Sequence, residues 1–277
     1  GVNALGAATT TNNSSAFGDN ALAVNTANGN DAFGATALDS NTTGAGNSAF
    51  GGVSLTANTT GSRNAAVGES ALAANTTASD SSAFGYNALT LNTGAFNSAF
   101  GSIAGDSMTS GTRNSCFGYT ALGAMTTGVD CAAFGSEALL FATGSNNSAF
   151  GSTSAFSITT GTGNCAFGYR ALVLNTTASN NNAFGTTALD ENTTGTRNNA
   201  FGMDALGAIV TANDCSAFGN NALLVNTAAN NNAFGSAALD ANTTGTRNSA
   251  FGVDAIGSIT TGNDCSAFGY QALLSAT

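Results

Sequence analysis

Residues 181–202 read NNAFGTTALDENTTGTRNNAFG, and they contain two copies of the motif Asn-x-Ala-Phe-Gly, which end at Gly185 and Gly202. The glycine recurs at a spacing of sixteen or seventeen positions along the whole chain. From Gly18 onward there are sixteen such glycines, and the residue immediately before each is Phe in fifteen cases and Val67 in the other. Helical hairpins and propeller blades need about 34 to 45 residues per repeat. The period therefore predicts an all-β fold, a parallel β-solenoid (β-roll) of about 16 coils with 16–17 residues per coil, in a single uncapped array over residues 1–277.

The composition excludes several classes of protein. The net charge is −10, the five basic residues are all Arg, and they lie far apart in the sequence, which argues against a nucleic-acid partner. A run of 18 apolar residues, as a membrane span requires, is absent. Without His or Lys, the common general-base and Schiff-base routes are missing, so we expect neither an enzyme nor a bound cofactor.

The repeat assigns each residue type to a place in the coil, counted from the motif glycine as position zero. Most coils carry Leu or Ile at +4 and Asn at −4, and sixteen of seventeen carry Thr at +8. We expect two strands per coil, one at residues such as 147–151, with Phe inward and Ala outward, and one from the Leu to the Thr, with the Thr pointing inward or packed tightly. The Gly that follows Thr-Thr in many coils, such as Gly44, predicts a turn in which positive φ is tolerated.

Stacked coils place identical residues above one another, and this predicts side-chain ladders. Where +7 is Asn, the next −4 residue is usually Asn, whereas Ile209 and Ile259 at +7 are followed by Cys215 and Cys265 at −4. We infer that positions +7 and −4 face each other across the coil. The predicted structural ladder consists of Phe17, Phe33, Phe50, Phe84, Phe100, Phe117, Phe134, Phe150, Phe167, Phe184, Phe201, Phe218, Phe234, Phe251 and Phe268.

A second period of 50 residues lies over the first. Residues 182–227 match residues 232–277 at 33 of 46 positions, which indicates duplication of three-coil blocks. Cys215 and Cys265 recur at one coil position, three coils apart, at about 14 Å with coils spaced by about 4.8 Å, which is too far for a disulfide. We interpret the five cysteines as small buried hydrophobic residues, with an intermolecular bridge as the alternative.

The acidic residues offer only weak candidate sites. Asp190 recurs as Asp240, and such repeated acids are typical of solvated loops rather than of a single glycosidase cleft. Asp130, Asp214 and Asp264 lie beside Asn and would suit weak calcium binding, but the calcium-binding nonapeptide is missing, so no metal site is predicted. A Thr array could also bind ice, but this needs two parallel Thr rows, and strand alternation predicts that adjacent Thr residues point in opposite directions.

Apolar residues at positions +5 and +6 give the best interaction signal. Their recurrence indicates an exposed stripe that packs against other copies of the same chain, laterally or end to end. The alternative is that these loops fold over their own coil. The candidate self-association residues are Leu91, Leu140, Phe141, Phe156, Val173, Leu174, Leu224, Val225 and Leu274.

Two runs carry a family resemblance, NSAFG at residues 147–151 and FGYNAL at residues 84–89. They resemble β-solenoid repeats of phage and marine-virus tail-fibre-like proteins and of bacterial surface fibres and, more distantly, the head repeats of trimeric autotransporter adhesins. The resemblance implies a left-handed roll at an extracellular location or on a virion surface. We therefore expect a non-enzymatic structural protein that forms a fibre shaft or filament. The alternatives are an adhesive or receptor-binding segment that recognises a cell surface or glycan and, third, an ice-binding protein.

Overall fold

The structure, a computed structural model, describes residues 2–6 and 13–274. It divides into two compact units, Gly1–Glu137 and Ala138–Thr277. Each unit contains eight strands of three residues, and the described part of the chain contains no helix. The prediction of an all-β parallel solenoid is confirmed.

The strands lie one to a coil and end at the residue before each motif glycine. In the first unit they are β1 (Ser15–Phe17), β2 (Asp31–Phe33), β3 (Ser48–Phe50), β4 (Ala65–Val67), β5 (Ser82–Phe84), β6 (Ser98–Phe100), β7 (Ser115–Phe117) and β8 (Ala132–Phe134). In the second unit they are β9 (Ser148–Phe150), β10 (Cys165–Phe167), β11 (Asn182–Phe184), β12 (Asn199–Phe201), β13 (Ser216–Phe218), β14 (Asn232–Phe234), β15 (Ser249–Phe251) and β16 (Ser266–Phe268).

Within each unit every strand pairs in parallel with the next strand along the chain. The register follows the sequence repeat, so Phe167 lies beside Phe184 and Ala166 beside Ala183. Hydrogen bonds between coils continue beyond the strands, for example from the amide of Gly185 to the carbonyl of Phe167 at 2.8 Å. The chain contains no proline, which fits a backbone whose amides bond to the neighbouring coil.

The alternation within the strand is opposite to our expectation. Ala49 and Ala183 at position −2 are fully buried, whereas Phe50 at −1 is 42% exposed and Phe251 is 36% exposed. The interior of each coil is already filled by Leu at +4, by a second Ala at +3 and by the Asn residues at +7 and −4. A three-residue strand facing this narrow interior has room for a methyl group, so the phenyl rings lie outside.

The predicted second strand is a series of tight turns. In the coil that starts at Gly34, the amide of Ala37 donates to the carbonyl of Gly34, and the amide of Asp39 donates to that of Thr36. Thr36 and Leu38 have φ of 56° and 51°, and this left-handed geometry recurs at +2 and +4 along the chain. A bulky residue rarely adopts positive φ. Here the burial of each Leu side chain in the core holds the backbone in place.

The motif glycines are required for two reasons. Gly151 has a φ of 137°, and a Cβ added there would lie 2.5 Å from the carbonyl oxygen of Gly168 in the next coil. No side chain fits both the dihedral angle and the close approach of the two backbones. The invariant glycine in the sequence therefore marks where successive coils are in closest contact.

The Gly that follows Thr-Thr has a different role from the one we predicted. Gly195 does not adopt positive φ. A Cβ at this position would instead collide with the carbonyl oxygen of Ala212 in the next coil, and it would lie 2.5 Å from Asn192 Oδ1. The glycine leaves space for the backbone of the next coil and for a buried Asn side chain, so steric room rather than a turn type explains its recurrence.

Candidate self-association surfaces

The Phe side chains form stacked ladders on the outer face of the strands. In the second unit the ladder from Phe150 to Phe268 is continuous, with ring centroids 4.4–4.9 Å apart and interplanar angles of 3–10°. In the first unit Val67 replaces one ring, and Phe84 stacks on Phe100 at 4.6 Å. Because the rings are nearly parallel, each inner ring has both of its faces covered and presents its edge to solvent.

The nine residues predicted to mediate self-association separate by coil position. At +6, Leu91, Phe141, Leu174 and Val225 are exposed, with Leu91 at 50%. At +5, the side chains are more enclosed: Val173 is buried, Leu140, Phe156 and Leu224 are half-buried, and only Leu274 is exposed. Phe156 packs edge to face on Phe141, with centroids 5.1 Å apart. The side chains at position +6 therefore form the accessible part of the predicted stripe, while most of those at position +5 cover their own coil.

The two Thr rows also lie at the surface. Thr243 at +8 is half-buried rather than inward, and Thr244 at +9 is exposed. Thr243 Oγ1 donates to the carbonyl of Thr260 at 3.0 Å, and Thr193 Oγ1 donates to that of Val210 at 3.1 Å. Our expectation of an inward +8 Thr is wrong, because this segment is not a strand. Without a strand, alternation no longer supports the expectation that adjacent Thr residues point in opposite directions. Thr277 lies outside the described residues.

Buried Asn side chains connect the coils from within. Asn58 Nδ2 donates to Asn41 Oδ1 at 2.7 Å and to the carbonyl of Gly61 at 2.9 Å, and Asn58 Oδ1 accepts from Asn75 at 3.0 Å. At position −4, Asn181 Oδ1 accepts from the amide of Asn198 at 2.9 Å. Such buried amides stabilise a fold only when they are paired, so this network specifies which coil lies on which.

The inferred contact between positions +7 and −4 is present. Asn97 Nδ2 donates to Asn92 Oδ1 at 2.9 Å, and Asn231 donates to Asn226 at 3.0 Å. In the last such coil, Ile259 and Cys265 lie beside the same glycine, since a Cβ on Gly262 would be 2.7 Å from Ile259 Cγ2 and 3.3 Å from Cys265 Sγ. The apolar replacements therefore lie close to one glycine, as the paired Asn residues do.

In the part of the chain that the structure describes, four Arg–Asp ion pairs join successive coils on the surface, and none of them was predicted from the sequence. Each Arg lies five residues before a motif glycine, and its Asp occupies the same position one coil later. Both Nε and Nη2 of each Arg donate to the carboxylate, with Nε to Oδ1 distances of 2.6–2.7 Å. The pairs are Arg63–Asp80, Arg113–Asp130, Arg197–Asp214 and Arg247–Asp264.

The ion pairs change our interpretation of the acidic residues. The Arg197 guanidinium holds the pKa of Asp214 below its usual range, mainly through their hydrogen bonds. Asp130, Asp214 and Asp264 thus bind Arg rather than each other, and the described residues contain no cluster of three potential metal ligands. At Asp190 burial raises the pKa, and the neighbouring Glu191 adds to this shift. An Arg followed one repeat later by an Asp at the same coil position was the sequence signal for the pairs.

The five cysteines all lie within the described residues, and none of them forms a disulfide. Cys116, Cys131 and Cys215 are buried, while Cys165 and Cys265 are partly exposed. Burial raises the pKa of Cys116 to about 12, which makes it a poor nucleophile at neutral pH. The interpretation of small buried residues holds for the three core thiols, whereas Cys165 lies on the outer face of β10, two residues before Phe167.

Comparison with known proteins identified no family. No protein-family model matches the chain, and no curated protein matches it significantly. Within residues 2–6 and 13–274, no helix has the length and hydrophobicity that crossing a membrane requires. The functional interpretation therefore depends on the surfaces and ladders themselves.

Proposed function

We propose that this chain is a non-enzymatic structural protein that forms an extracellular or virion-surface fibre shaft or filament by association with other copies of itself. The observation that carries the proposal is the bonding between successive coils within each unit. Backbone hydrogen bonds, buried Asn ladders and surface Arg–Asp pairs all run from one coil to the next. Such nearest-neighbour stacking suits a protein whose useful property is length.

The 50-residue repeat supports the same proposal. The second unit contains both copies of the duplicated block, and the Arg197–Asp214 pair recurs as Arg247–Asp264. Duplication therefore adds coils without the need for new contacts. The resemblance of the NSAFG and FGYNAL runs to tail-fibre-like and surface-fibre repeats supports the extracellular or virion-surface location.

Cryo-electron microscopy of the purified chain tests this function. We expect elongated assemblies of several copies with an axial repeat of about 4.8 Å, the spacing of stacked strands. Particles that contain one copy at every concentration would contradict self-association. That result would favour the adhesive alternative, in which the chain serves as a receptor-binding segment that recognises a cell surface or glycan.

Ice binding is a second candidate because the Thr rows at +8 and +9 both reach the surface, as at Thr243 and Thr244. The +8 hydroxyl groups already donate to the next coil, so the rows present a regular, preformed surface to water. A thermal hysteresis measurement tests this candidate directly. Melting and freezing points that coincide at the highest soluble concentration would eliminate it.

A further inference from the structure

We infer that the Phe ladder of the second unit is the lateral interface with a second copy of this chain. This aromatic face consists of the outward residues of β9–β16, namely the eight Phe residues from Phe150 to Phe268 and the residues two positions before them. The inference rests on the proposed function and specifies its surface. It also differs from the sequence-based prediction, which placed self-association at positions +5 and +6.

The distribution of charge leaves the aromatic face neutral. Residues 138–277 contain seven acidic residues and three Arg, which gives a net charge of −4. Between positions −3 and +1 of the coils that contain β9–β16, however, no residue is charged. Two copies of a chain with a net charge of −10 repel each other least where their contacting surfaces carry no charge. The corresponding positions in the first unit include Asp19, Asp31 and Glu69, so the second unit is the better interface.

The exposed area is sufficient for a stable interface. Phe234 and Phe251 are 37% and 36% exposed, and Tyr169, Met203 and Val253, which follow the motif glycines, are 45–54% exposed. With about 200 Å² for a Phe side chain, a ring that is a third exposed contributes roughly 70 Å², so the eight rings and these neighbours together are on the order of the ~800 Å² per partner of a standard interface.

The stacking geometry selects an apolar protein partner over a stacked ligand. Sugars and nucleobases bind to the open face of an aromatic ring. In this ladder Phe201 has Phe184 on one side at 4.7 Å and Phe218 on the other at 4.6 Å, so both faces are covered. Only ring edges remain, in a row with a fixed spacing of 4.4–4.9 Å. A second copy of the chain has the same spacing, so its ring edges can pack between these along the whole row.

A pair of matched variants tests the inference by analytical ultracentrifugation of the full chain over a range of concentrations. The face variant carries Phe184→Thr, Phe201→Thr, Phe218→Thr and Phe234→Thr, where Thr keeps the strand propensity that the native Val67 shows to be compatible with this position. The control variant removes four exposed apolar residues elsewhere, with Leu91→Thr, Phe141→Thr, Leu174→Thr and Val225→Thr. We expect the face variant to associate about 100-fold more weakly than the wild type and the control variant to change by less than about threefold.

Alkylation of a cysteine in the wild-type chain tests the same interface without any effect of substitutions on folding. Cys165 belongs to the aromatic face, so association should slow its alkylation by N-ethylmaleimide as the protein concentration rises. Two results would overturn the inference and leave the proposed function intact. One is weaker association of the control variant alone, and the other is a rate of Cys165 alkylation that stays constant while the chain associates. A wild-type chain that stays monomeric at its highest soluble concentration would overturn both.

Discussion

Substitution of Asn by Ile at position +7 should have opposite effects in two coils. Asn58 lies within a paired ladder and makes three side-chain hydrogen bonds to Asn41, Gly61 and Asn75. Asn192 makes one, to the carbonyl of Gly195 at 3.0 Å, and its buried Oδ1 finds no partner among the described residues. One coil later, +7 is Ile209, which offers this oxygen no donor. We expect Asn58→Ile to destabilise its coil and Asn192→Ile to leave its coil as stable as before or more so.

The magnitude follows from the hydrogen bonds. Asn58→Ile removes two more hydrogen bonds than Asn192→Ile, at about 1 kcal/mol each, and leaves Asn41 Oδ1 without its donor. The unpaired Asn41 Oδ1 costs about 1 kcal/mol. Asn192→Ile instead gains about 1 kcal/mol, because it eliminates an unpaired buried acceptor. The burial and packing of Ile contribute to both variants, and the native Ile209 and Ile259 show that the position accepts this side chain. The two free energies should therefore differ by about 4 kcal/mol.

Hydrogen exchange measured by mass spectrometry provides the assay, because a stacked array need not unfold in one step. The amide of Thr59 donates to the next coil at 2.8 Å and the amide of Thr193 at 3.0 Å, so each reports on the coil of one substitution. A difference of about 4 kcal/mol corresponds to roughly a thousandfold difference in protection. Equal loss of protection in the two variants would show that Asn pairing does not stabilise the coils, and the reasoning would be refuted.

Three further predictions concern glycine, pH and thiol reactivity. Gly151→Ala should destabilise the second unit by about 2–4 kcal/mol in urea denaturation, because Gly151 has positive φ and an added Cβ would clash with the next coil. Gly52 has open space where its Cβ would lie, so the control substitution Gly52→Ala should change stability by less than about 1 kcal/mol. Because Arg197 lowers the pKa of Asp214, the stabilisation by this pair is present above the unfolded-state pKa of the carboxyl and is lost as the pH falls through its folded pKa. The urea midpoint of Asp214→Asn should therefore lie below that of the wild type at pH 7 and converge with it as the carboxyl becomes protonated in acid, and a gap that stays constant with pH would contradict this. Cys116 should resist N-ethylmaleimide in the native protein at pH 7.5 and react only after denaturation, and rapid labelling of the folded chain would show that its pKa of about 12 is wrong.

The sequence predicted the coil and part of its interior. A period of sixteen or seventeen positions leaves few alternatives to a solenoid, and the parallel register follows from stacking equal coils. The contact between +7 and −4 was also accessible, because Asn and apolar residues replace each other at both positions together, as at Ile209 and Cys215. The Arg–Asp pairs were equally accessible from their spacing of one repeat, but they require comparison of one position between coils rather than of neighbours within a coil.

The orientation of the strand could not be derived from its letters alone. In Ser-Ala-Phe, alternation places either the Ala or the other two residues inside, and hydrophobicity favours the Phe. Which residue faces the interior depends on the size of the space that remains after Leu at +4 and the paired Asn residues are in place. The size of this space in turn depends on the geometry of the turns. Those turns put Leu at positive φ, as at Leu189 with 53°, which ordinary residue preferences disfavour. The predicted orientations of Phe and Thr were therefore wrong for one reason: we expected a second strand where the chain forms tight turns.

The unpaired amides explain how an array can grow by duplication without being optimised. Asn192 and Asn242 lie 50 residues apart, and each has a buried Oδ1 that meets no hydrogen-bond donor among the residues that the structure describes. Each also precedes a coil with Ile at +7, Ile209 in one block and Ile259 in the other. The defect has therefore been copied together with the hydrogen bonds that surround it. Because each coil contacts only its neighbours, such a loss stays local and the remaining ladders continue past it. Length could thus increase block by block while the stability of any one coil stayed below its maximum.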